Sequence, residues 1–196
     1  MTPRASTVVS AFLVRPAVPR LTDGCWVAVE IGWLTGRSQP ETDEELMSWG
    51  ADVIASIQTG HEGSGVSARI VQEAVSAGRL QDHVFFPIKP ICRPDYTKDD
   101  CRMFGDLVKF TADYLKKGSR VAIHCRQGHH RTAIAIYLVM RYLGQSDEAC
   151  LRAMARMRPA MREEFVKQTS HRDLHRMAQG IFTDNVFLLR LAFDEL

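Results

Sequence analysis

Hydrophobic positions along the chain follow two different periodicities. Short runs rich in β-branched residues predict strands, and longer stretches with apolar residues three and four apart predict helices. The predicted strands cover 7–14, 26–31, 53–57, 83–88 and 120–124. The predicted helices cover 42–49, 67–77, 98–117, 131–143, 147–157, 162–179 and 184–195. Strands that alternate with helices, before a nearly all-helical last third, indicate an α/β fold with a central, largely parallel sheet flanked by helices.

Residues at the ends of the predicted helices support these bounds. Gly50, Gly78 and Gly118 each follow a predicted helix, where glycine readily adopts the left-handed backbone of a C-terminus. Ser146 and the two acidic residues after it suit a helix N-terminus, since they cap free N–H groups and complement the helix dipole. The segment 58–65, rich in glycine and polar residues, predicts a surface loop.

Composition narrows the class of protein. The 196 residues are 45% hydrophobic and 24% charged, with a net charge of +2, which is ordinary for one globular domain. Five scattered cysteines without a Cys-x-x-Cys pair indicate reduced thiols and a cytoplasmic location. The longest apolar run, 133–140, is too short to span a membrane. The first 22 residues contain Arg but no acid, so a transit peptide is the alternative to an N-terminal strand.

The strongest chemical signal is the segment from His124 to Thr132, which reads His-Cys-Arg-Gln-Gly-His-His-Arg-Thr. A predicted strand leads into it and a predicted helix leaves it. A strand, a glycine-containing loop and a helix N-terminus form an anion site, because free N–H groups and the helix dipole point at one spot. A cysteine at the start of such a loop lies in a positive field that favours the thiolate.

Each residue of this segment has an expected role in phosphoryl transfer. Cys125 would attack phosphorus and form a phosphocysteine, and Arg131 would add a two-pronged donor for the phosphoryl oxygens. His124 would orient the loop, and Thr132 would offer its hydroxyl to the thiolate. The residues between the cysteine and the arginine would bind the phosphoryl group, mainly through backbone N–H groups: Arg126, Gln127, Gly128, His129 and His130.

Two clusters raise the alternative of a metal site. Cys125, His129 and His130 lie close together in sequence, but their spacing matches no standard zinc pattern. His171 and His175 are one helical turn apart, beside charged residues that favour a solvated helix face. We therefore predict neither a metal nor another cofactor.

The segment resembles the signature loop of the cysteine-dependent protein tyrosine phosphatase superfamily, and in particular that of the atypical dual-specificity phosphatases. Pro94-Asp95-Tyr96, whose Asp95 lies 30 residues before Cys125, resembles the family's general-acid loop. Arg158-Pro159 resembles a helix junction of the family. The resemblance covers about residues 24–180 and leaves 181–196 as a C-terminal helix extension. It implies the fold of these enzymes and protein tyrosine or dual-specificity phosphatase activity without a cofactor.

The general acid that protonates the leaving group has several candidates. Asp95 matches the family spacing and has no evident structural role other than that of a turn residue. Asp99 and Asp100 stand at a predicted helix start, where capping and the helix dipole explain them. Asp106 lies inside that helix, on what the pattern predicts to be a solvated face. We therefore prefer Asp95 and keep Asp99 and Asp100 as alternatives.

The substrate is less well determined. A phosphorylated protein is the first prediction, while a phosphoinositide or an RNA 5′ end is the alternative, since the loop is more basic than the signature requires. A non-catalytic phosphate-binding module is the least favoured reading. No basic-aromatic nucleic-acid patch or polybasic membrane segment is evident. The apolar C-terminal stretch predicts packing against the body of the protein, or alternatively a dimer or partner contact.

Overall fold

In a computed structural model of the protein, five strands form one mixed sheet. The structure describes residues 26–29, 32–63, 65–90, 97–167 and 173–191. The strands are β1 (Val27–Val29), β2 (Gly32–Arg37), β3 (Val53–Ile57), β4 (Asp82–Phe86) and β5 (Arg120–His124). Their order in the sheet is β1-β2-β5-β3-β4. The last four are mutually parallel, and β1 pairs with β2 in the antiparallel sense. β5, which leads into the signature loop, is therefore the central strand.

Eight helices surround this sheet in the described part of the chain. They are α1 (Asp43–Ser48), α2 (Gly60–Gly63), α3 (Val66–Ser76), α4 (Lys98–Lys116), α5 (Arg131–Tyr142), α6 (Asp147–Met157), α7 (Pro159–Val166) and α8 (Leu174–Leu191). The predicted α/β fold, with a largely parallel sheet and a helical last third, is confirmed.

Two apolar clusters hold the layers together. The larger cluster joins one face of the sheet to α4 and α5 and continues into α6, α7 and α8. The smaller cluster joins the other face to α1 and α3, through residues such as Trp49, Ile54, Val71 and Ala122. Ile54 and Ala122 are fully buried on neighbouring strands. The alternation of side chains along β3 and β5 thus supplies both clusters.

The first strands differ from the prediction. The sequence predicts one strand over 26–31, whereas the structure has two, β1 and β2, and Gly36 lies inside β2. A Cβ at Gly36 would lie 2.6 Å from both Ile136 Cδ1 and Met161 Cε. The glycine is therefore needed for close packing of helices on the strand. The predicted strand 7–14 lies outside the described residues.

The C-terminal helices also differ from the prediction. In place of one helix over 162–179, α7 ends at Val166 and α8 begins at Leu174. α8 then continues through 180–183, where the sequence predicts a break before a second helix. α7 begins earlier than predicted because Pro159 suits the first position of a helix. The helix-end predictions at Gly50, Gly78 and Gly118 are confirmed by their positive φ angles of 62°, 69° and 86°.

A polar network joins three of these helices. The Tyr137 hydroxyl of α5 donates to Asp147 Oδ1 of α6 at 2.5 Å, and His175 Nε2 of α8 lies 2.8 Å from the same oxygen. The ring of His175 packs against Tyr137 and Phe165. The prediction of a solvated face is therefore wrong for His175, while His171 lies outside the described residues.

No helix in the described part of the chain is long and apolar enough to cross a membrane.

Candidate active site

The signature segment forms a tight loop between the central strand and a buried helix. β5 ends at His124 and α5 begins at Arg131. Cys125 is only 3% exposed, and the backbone N–H of Gly128 donates to its Sγ at 3.2 Å. The loop therefore curls around the sulfur and directs at least one amide dipole at it, as the sequence predicts for an anion site.

Gly128 is the residue that permits this curl. Its φ is 71°, and a Cβ there would lie 2.3 Å from the Arg37 carbonyl oxygen and 2.5 Å from an Arg158 guanidinium nitrogen. Just after β2, the Gln39 N–H supports the loop by donating to the Arg126 carbonyl at 3.3 Å. The end of the neighbouring strand thus fixes the shape of the loop.

Arg131 is held in place by a carboxylate that lies far away in sequence. Its Nη1 and Nη2 donate to the two carboxylate oxygens of Glu62 at 2.8 and 2.9 Å. Nη1 also donates to the Ile88 carbonyl at 3.0 Å. These three bonds use the end of the guanidinium group. Among the described residues, none accepts a hydrogen bond from its side edge, formed by Nε–H and the other Nη2 hydrogen. An arginine fork can bind two oxygens along one such edge.

The charge state of Glu62 follows from this contact. The Arg131 hydrogen bonds, helped by Thr59, lower the pKa of Glu62 from 4.5 to about 2, against the opposing effect of burial. Glu62 is therefore ionised at neutral pH. The segment 58–65, predicted as a surface loop, instead contains α2 and sends Glu62 into the site, while Gln58 is 1% exposed.

The rim of the loop is basic. Arg126 and Gln127 are exposed, and His129 and His130 are half-buried. Arg158 donates from Nη1 to the Gln127 carbonyl, and its Nη2 lies 3.3 Å from His129 Nε2. Burial and then the Arg158 charge lower the pKa of His129. Arg126 and Arg158 therefore supply positive charge at this rim, and the shift disfavours protonation of His129.

The two residues that flank the Cys-x5-Arg segment are fully buried. His124 Nε2 lies 2.6 Å from Ser56 Oγ, and its ring packs edge-on against Trp49. Burial, and then the neighbouring His83, lower the pKa of His124 to about 3, so its imidazole is neutral. Thr132 Oγ1 is buried without a hydrogen-bond partner among the described residues. The predicted contact of Thr132 with the thiolate is therefore not formed in this state.

Of the candidate general acids, Asp99, Asp100 and Asp106 lie among the described residues. Asp95 lies outside the described residues, so its role stays a prediction. Asp100 forms a capping box with Thr97 at the start of α4, and Asp99 is exposed beside Arg102. Asp106 is exposed. Helix-start roles for Asp99 and Asp100, and a solvated position for Asp106, are thus confirmed.

Three residues near the site were missed in the sequence. Glu62 is the acidic residue of a glycine-rich segment that follows a strand, and loops at the carboxyl ends of parallel strands meet at one edge of a sheet. Ser56 and His83 are polar residues in strands that otherwise read as buried. The sequence shows these three polar residues in their segments, but it does not show which distant residue each of them contacts.

In the described residues, no group of three or more His, Cys, Asp and Glu side chains is placed to hold a metal ion. Cys150 is buried and Cys101 half-buried in the larger cluster, so both are packing residues. Cys92 lies outside the described residues.

Comparison with known proteins identifies the fold. No family model and no curated protein matches the sequence. Among solved structures, kinase-associated phosphatase, with serine in place of its catalytic-site cysteine, matches with a TM-score of 0.57 and 15% identity, over 85% of this chain and 97% of that one. Tk-PTP matches with a TM-score of 0.58 and 14% identity, over 84% and 97%.

A third match is the core catalytic domain of the PP-IP phosphatase SIW14 from S. cerevisiae. Its TM-score is 0.55 at 12% identity, over 89% of this chain and 95% of that one. The chain therefore has the fold of cysteine-dependent, dual-specificity-type phosphatases, as the resemblance of its signature loop implied.

Proposed function

We propose that this protein is a phosphomonoester hydrolase that works through a phosphocysteine on Cys125, with phosphorylated tyrosine and serine or threonine in proteins as its substrates. The observation that supports the proposal is the placement of Cys125 Sγ. The sulfur lies within the loop at 3.2 Å from the Gly128 N–H, at the N-terminus of α5. Arg131 opens the same helix and has one guanidinium edge available.

The reaction follows from this arrangement. The Cys125 thiolate attacks phosphorus, the bond to the leaving oxygen breaks, and a general acid protonates that oxygen. Loop N–H groups and the side edge of Arg131 hold the non-bridging oxygens, where charge develops in the transition state. Water then attacks the phosphocysteine and releases phosphate and the thiolate. The nucleophile must be reduced, which fits a cytoplasmic location.

A second substrate class is favoured by Arg158. Its guanidinium group lies against the loop at Gln127 and His129, so it adds a second cation beside the phosphoryl site. A substrate with several phosphates, such as a phosphoinositide, would use both cations. One of the solved structures with this fold is a PP-IP phosphatase, which makes this class a reasonable alternative.

The first experiment tests the nucleophile. Hydrolysis of para-nitrophenyl phosphate should be abolished in Cys125→Ser, because the serine hydroxyl is a far weaker nucleophile at neutral pH. The variant should keep the circular dichroism spectrum and vanadate binding of the native protein. Near-normal turnover in the folded variant would exclude Cys125 as the nucleophile. Cys150→Ser, at a buried cysteine of the core, is the matched control and should retain turnover.

The second experiment ranks the substrates. Phosphotyrosine peptide, phosphothreonine peptide, phosphoinositides and 5′-triphosphate RNA should be compared by kcat/KM. The proposal predicts the highest values for the peptides. A preference for the lipid or RNA substrates that is lost in Arg158→Ala, while para-nitrophenyl phosphate turnover is kept, would establish the alternative class.

A further inference from the structure

A chain of polar side chains crosses the sheet and ends next to the nucleophile. Ser56 Oγ on β3 lies 2.6 Å from His124 Nε2 on β5 and 2.9 Å from His83 Nε2 on β4. Ser56 and His124 are register partners, so their side chains emerge on the same face of the sheet. His124 directly precedes Cys125. The relay, defined as His83, Ser56 and His124, therefore links the edge strand to the start of the signature loop.

The surroundings of the relay are largely apolar. His124 is fully buried and Ser56 is 3% exposed, whereas His83 is half-buried on the edge strand. α1 and α3 cover this face of the sheet with apolar residues of the smaller cluster. The charged neighbour of His83 is Asp82, which also accepts from Tyr114 of α4. Burial lowers the pKa of His83 more than Asp82 raises it.

The single hydrogen of the serine hydroxyl makes the relay directional. Ser56 can donate to one of the two imidazole nitrogens and must accept from the other. If His83 Nε2–H donates to Ser56, the serine donates to His124 Nε2, and the proton of neutral His124 then sits on Nδ1. In the opposite direction His124 would donate from Nε2 to Ser56, and its Nδ1 would carry no proton. Nδ1 is buried and has no hydrogen-bond partner of ordinary geometry among the described residues, so the Ser56 contact decides the tautomer.

The direction in which His83 donates to Ser56, and Ser56 to His124, fits the signature loop better. Nε2 of His124 is engaged with Ser56, whereas Nδ1 is the ring nitrogen nearer to the His124 backbone, which continues into Cys125. A proton on Nδ1 adds a positive dipole end at the start of the loop, in the same sense as the loop N–H groups. Protonation of His83 leaves this direction unchanged, because an imidazolium still donates through Nε2.

We propose that Ser56 and His83 are positioning residues, which hold His124 in the tautomer with its proton on Nδ1 and thereby favour the Cys125 thiolate. The inference extends the proposed role of Cys125 and rests on it. Neither residue touches the phosphoryl site; both act through His124, as outer groups orient the residues they contact.

Alkylation of Cys125 by iodoacetamide, followed by mass spectrometry, tests the effect on the thiolate without requiring turnover. The pH of half-maximal alkylation should rise by about half a unit to one unit in Ser56→Ala and in His83→Phe, a shift of ordinary size for a changed environment. His83→Gln can still donate to Ser56 and should stay near the native value. Phe85→Leu, an exposed position two residues along the same strand, is the matched control and should not shift.

The combined variant tests whether the two residues act in series. Ser56→Ala with His83→Phe should shift the profile no further than Ser56→Ala alone, because the serine is the connecting group. Additive shifts would contradict the relay, as would native profiles in both single variants. His83 is half-buried on an edge strand, so we expect its variants to fold. They can therefore test the relay even if Ser56→Ala fails to fold.

The tautomer can be observed directly. Imidazole ¹⁵N chemical shifts should show His124 protonated on Nδ1 in the native protein and a mixture of tautomers in Ser56→Ala. A native His124 protonated on Nε2 would overturn the inference. This measurement also distinguishes failure of the proposed function from failure of the relay. Activity in Cys125→Ser would show that the proposed function is wrong. The tautomer of His124 would still show whether the relay exists.

Discussion

At the scale of single residues, Gly128 has no room for a side chain in the loop. We predict that Gly128→Ala reduces turnover at least 10-fold, because the methyl group would meet the Arg37 carbonyl and push the loop away from Cys125. A non-glycine residue at this φ costs on the order of 1–3 kcal/mol even without a clash. Steady-state kinetics and thermal unfolding measure the two effects.

Gly144 provides the matched control. Its φ is 81°, but a Cβ there would meet nothing within 4 Å. Gly144→Ala should therefore show the backbone cost in its unfolding temperature and keep its turnover. Equal losses of turnover in the two variants would contradict the role given to the Gly128 contact.

A second residue-scale prediction concerns Asp95. If Asp95 is the general acid, Asp95→Asn should lower turnover of alkyl phosphates by about 10²–10⁴-fold and that of activated aryl phosphates far less, since good leaving groups need no proton. The basic limb of the pH–rate profile should flatten in the variant. Kinetics with a series of leaving groups measures both effects.

Two neighbouring carboxylates serve as controls for Asp95. Asp99→Ala and Asp100→Ala should leave the dependence on the leaving group unchanged, and loss of the Asp100 cap should cost roughly 1 kcal/mol of stability. If the dependence on the leaving group changed in one of these controls but not in Asp95→Asn, the residue altered in that control would be the general acid. No effect in any of the three would favour a substrate whose leaving group is itself a phosphate.

At the scale of elements, the segment with α2 matters because it brings Glu62 to Arg131. We predict that Glu62→Ala lowers kcat/KM for para-nitrophenyl phosphate about 10-fold or more, because the guanidinium group loses the partner that orients its side edge. Glu62→Gln keeps one acceptor and should lose less. Glu73→Ala, which removes an exposed carboxylate of α3, is the control and should stay near the native value.

The pH dependence of this pair has a definite sign. The pKa of Glu62 is depressed to about 2 in the folded protein, so its contribution to stability is present above about 4.5 and is lost as pH falls towards 2. Acid unfolding of the native protein and of Glu62→Gln should therefore differ most above pH 4.5 and converge near pH 2. Activity above that of the native enzyme in Glu62→Ala would mean that Glu62 blocks the site rather than orients Arg131.

At the scale of the whole molecule, the positive charge of the site comes from loop N–H groups, a helix N-terminus and arginine. We predict that EDTA leaves turnover unchanged, that vanadate inhibits, and that peroxide inactivates by oxidising the nucleophilic thiolate. Reducing agent should restore activity after mild oxidation. Loss of activity in EDTA that a divalent ion restores would contradict the proposed mechanism.

Much of this molecule is determined by local sequence. The strand, the glycine-containing loop and the helix that carry Cys125 and Arg131 are contiguous, so the spacing of residue types was enough to place both at one anion site. The caps at Ser146 and Thr97 likewise act on N–H groups three residues away. Hydrophobic periodicity and helix-end residues therefore predicted the class of fold and most of the helix and strand bounds.

The tertiary structure alone decided which distant residues meet. Glu62 and Arg131 are 69 residues apart, and Ser56 and His124 are 68 apart. Each pair is formed only when β3 and β5 lie side by side, and no local pattern specifies that pairing. The place of Gly36 in β2, against Ile136 and Met161, was set in the same way. Local sequence thus determined the proposed nucleophile and its loop, whereas strand order determined the residues that hold them, because sheet neighbours need not be sequence neighbours.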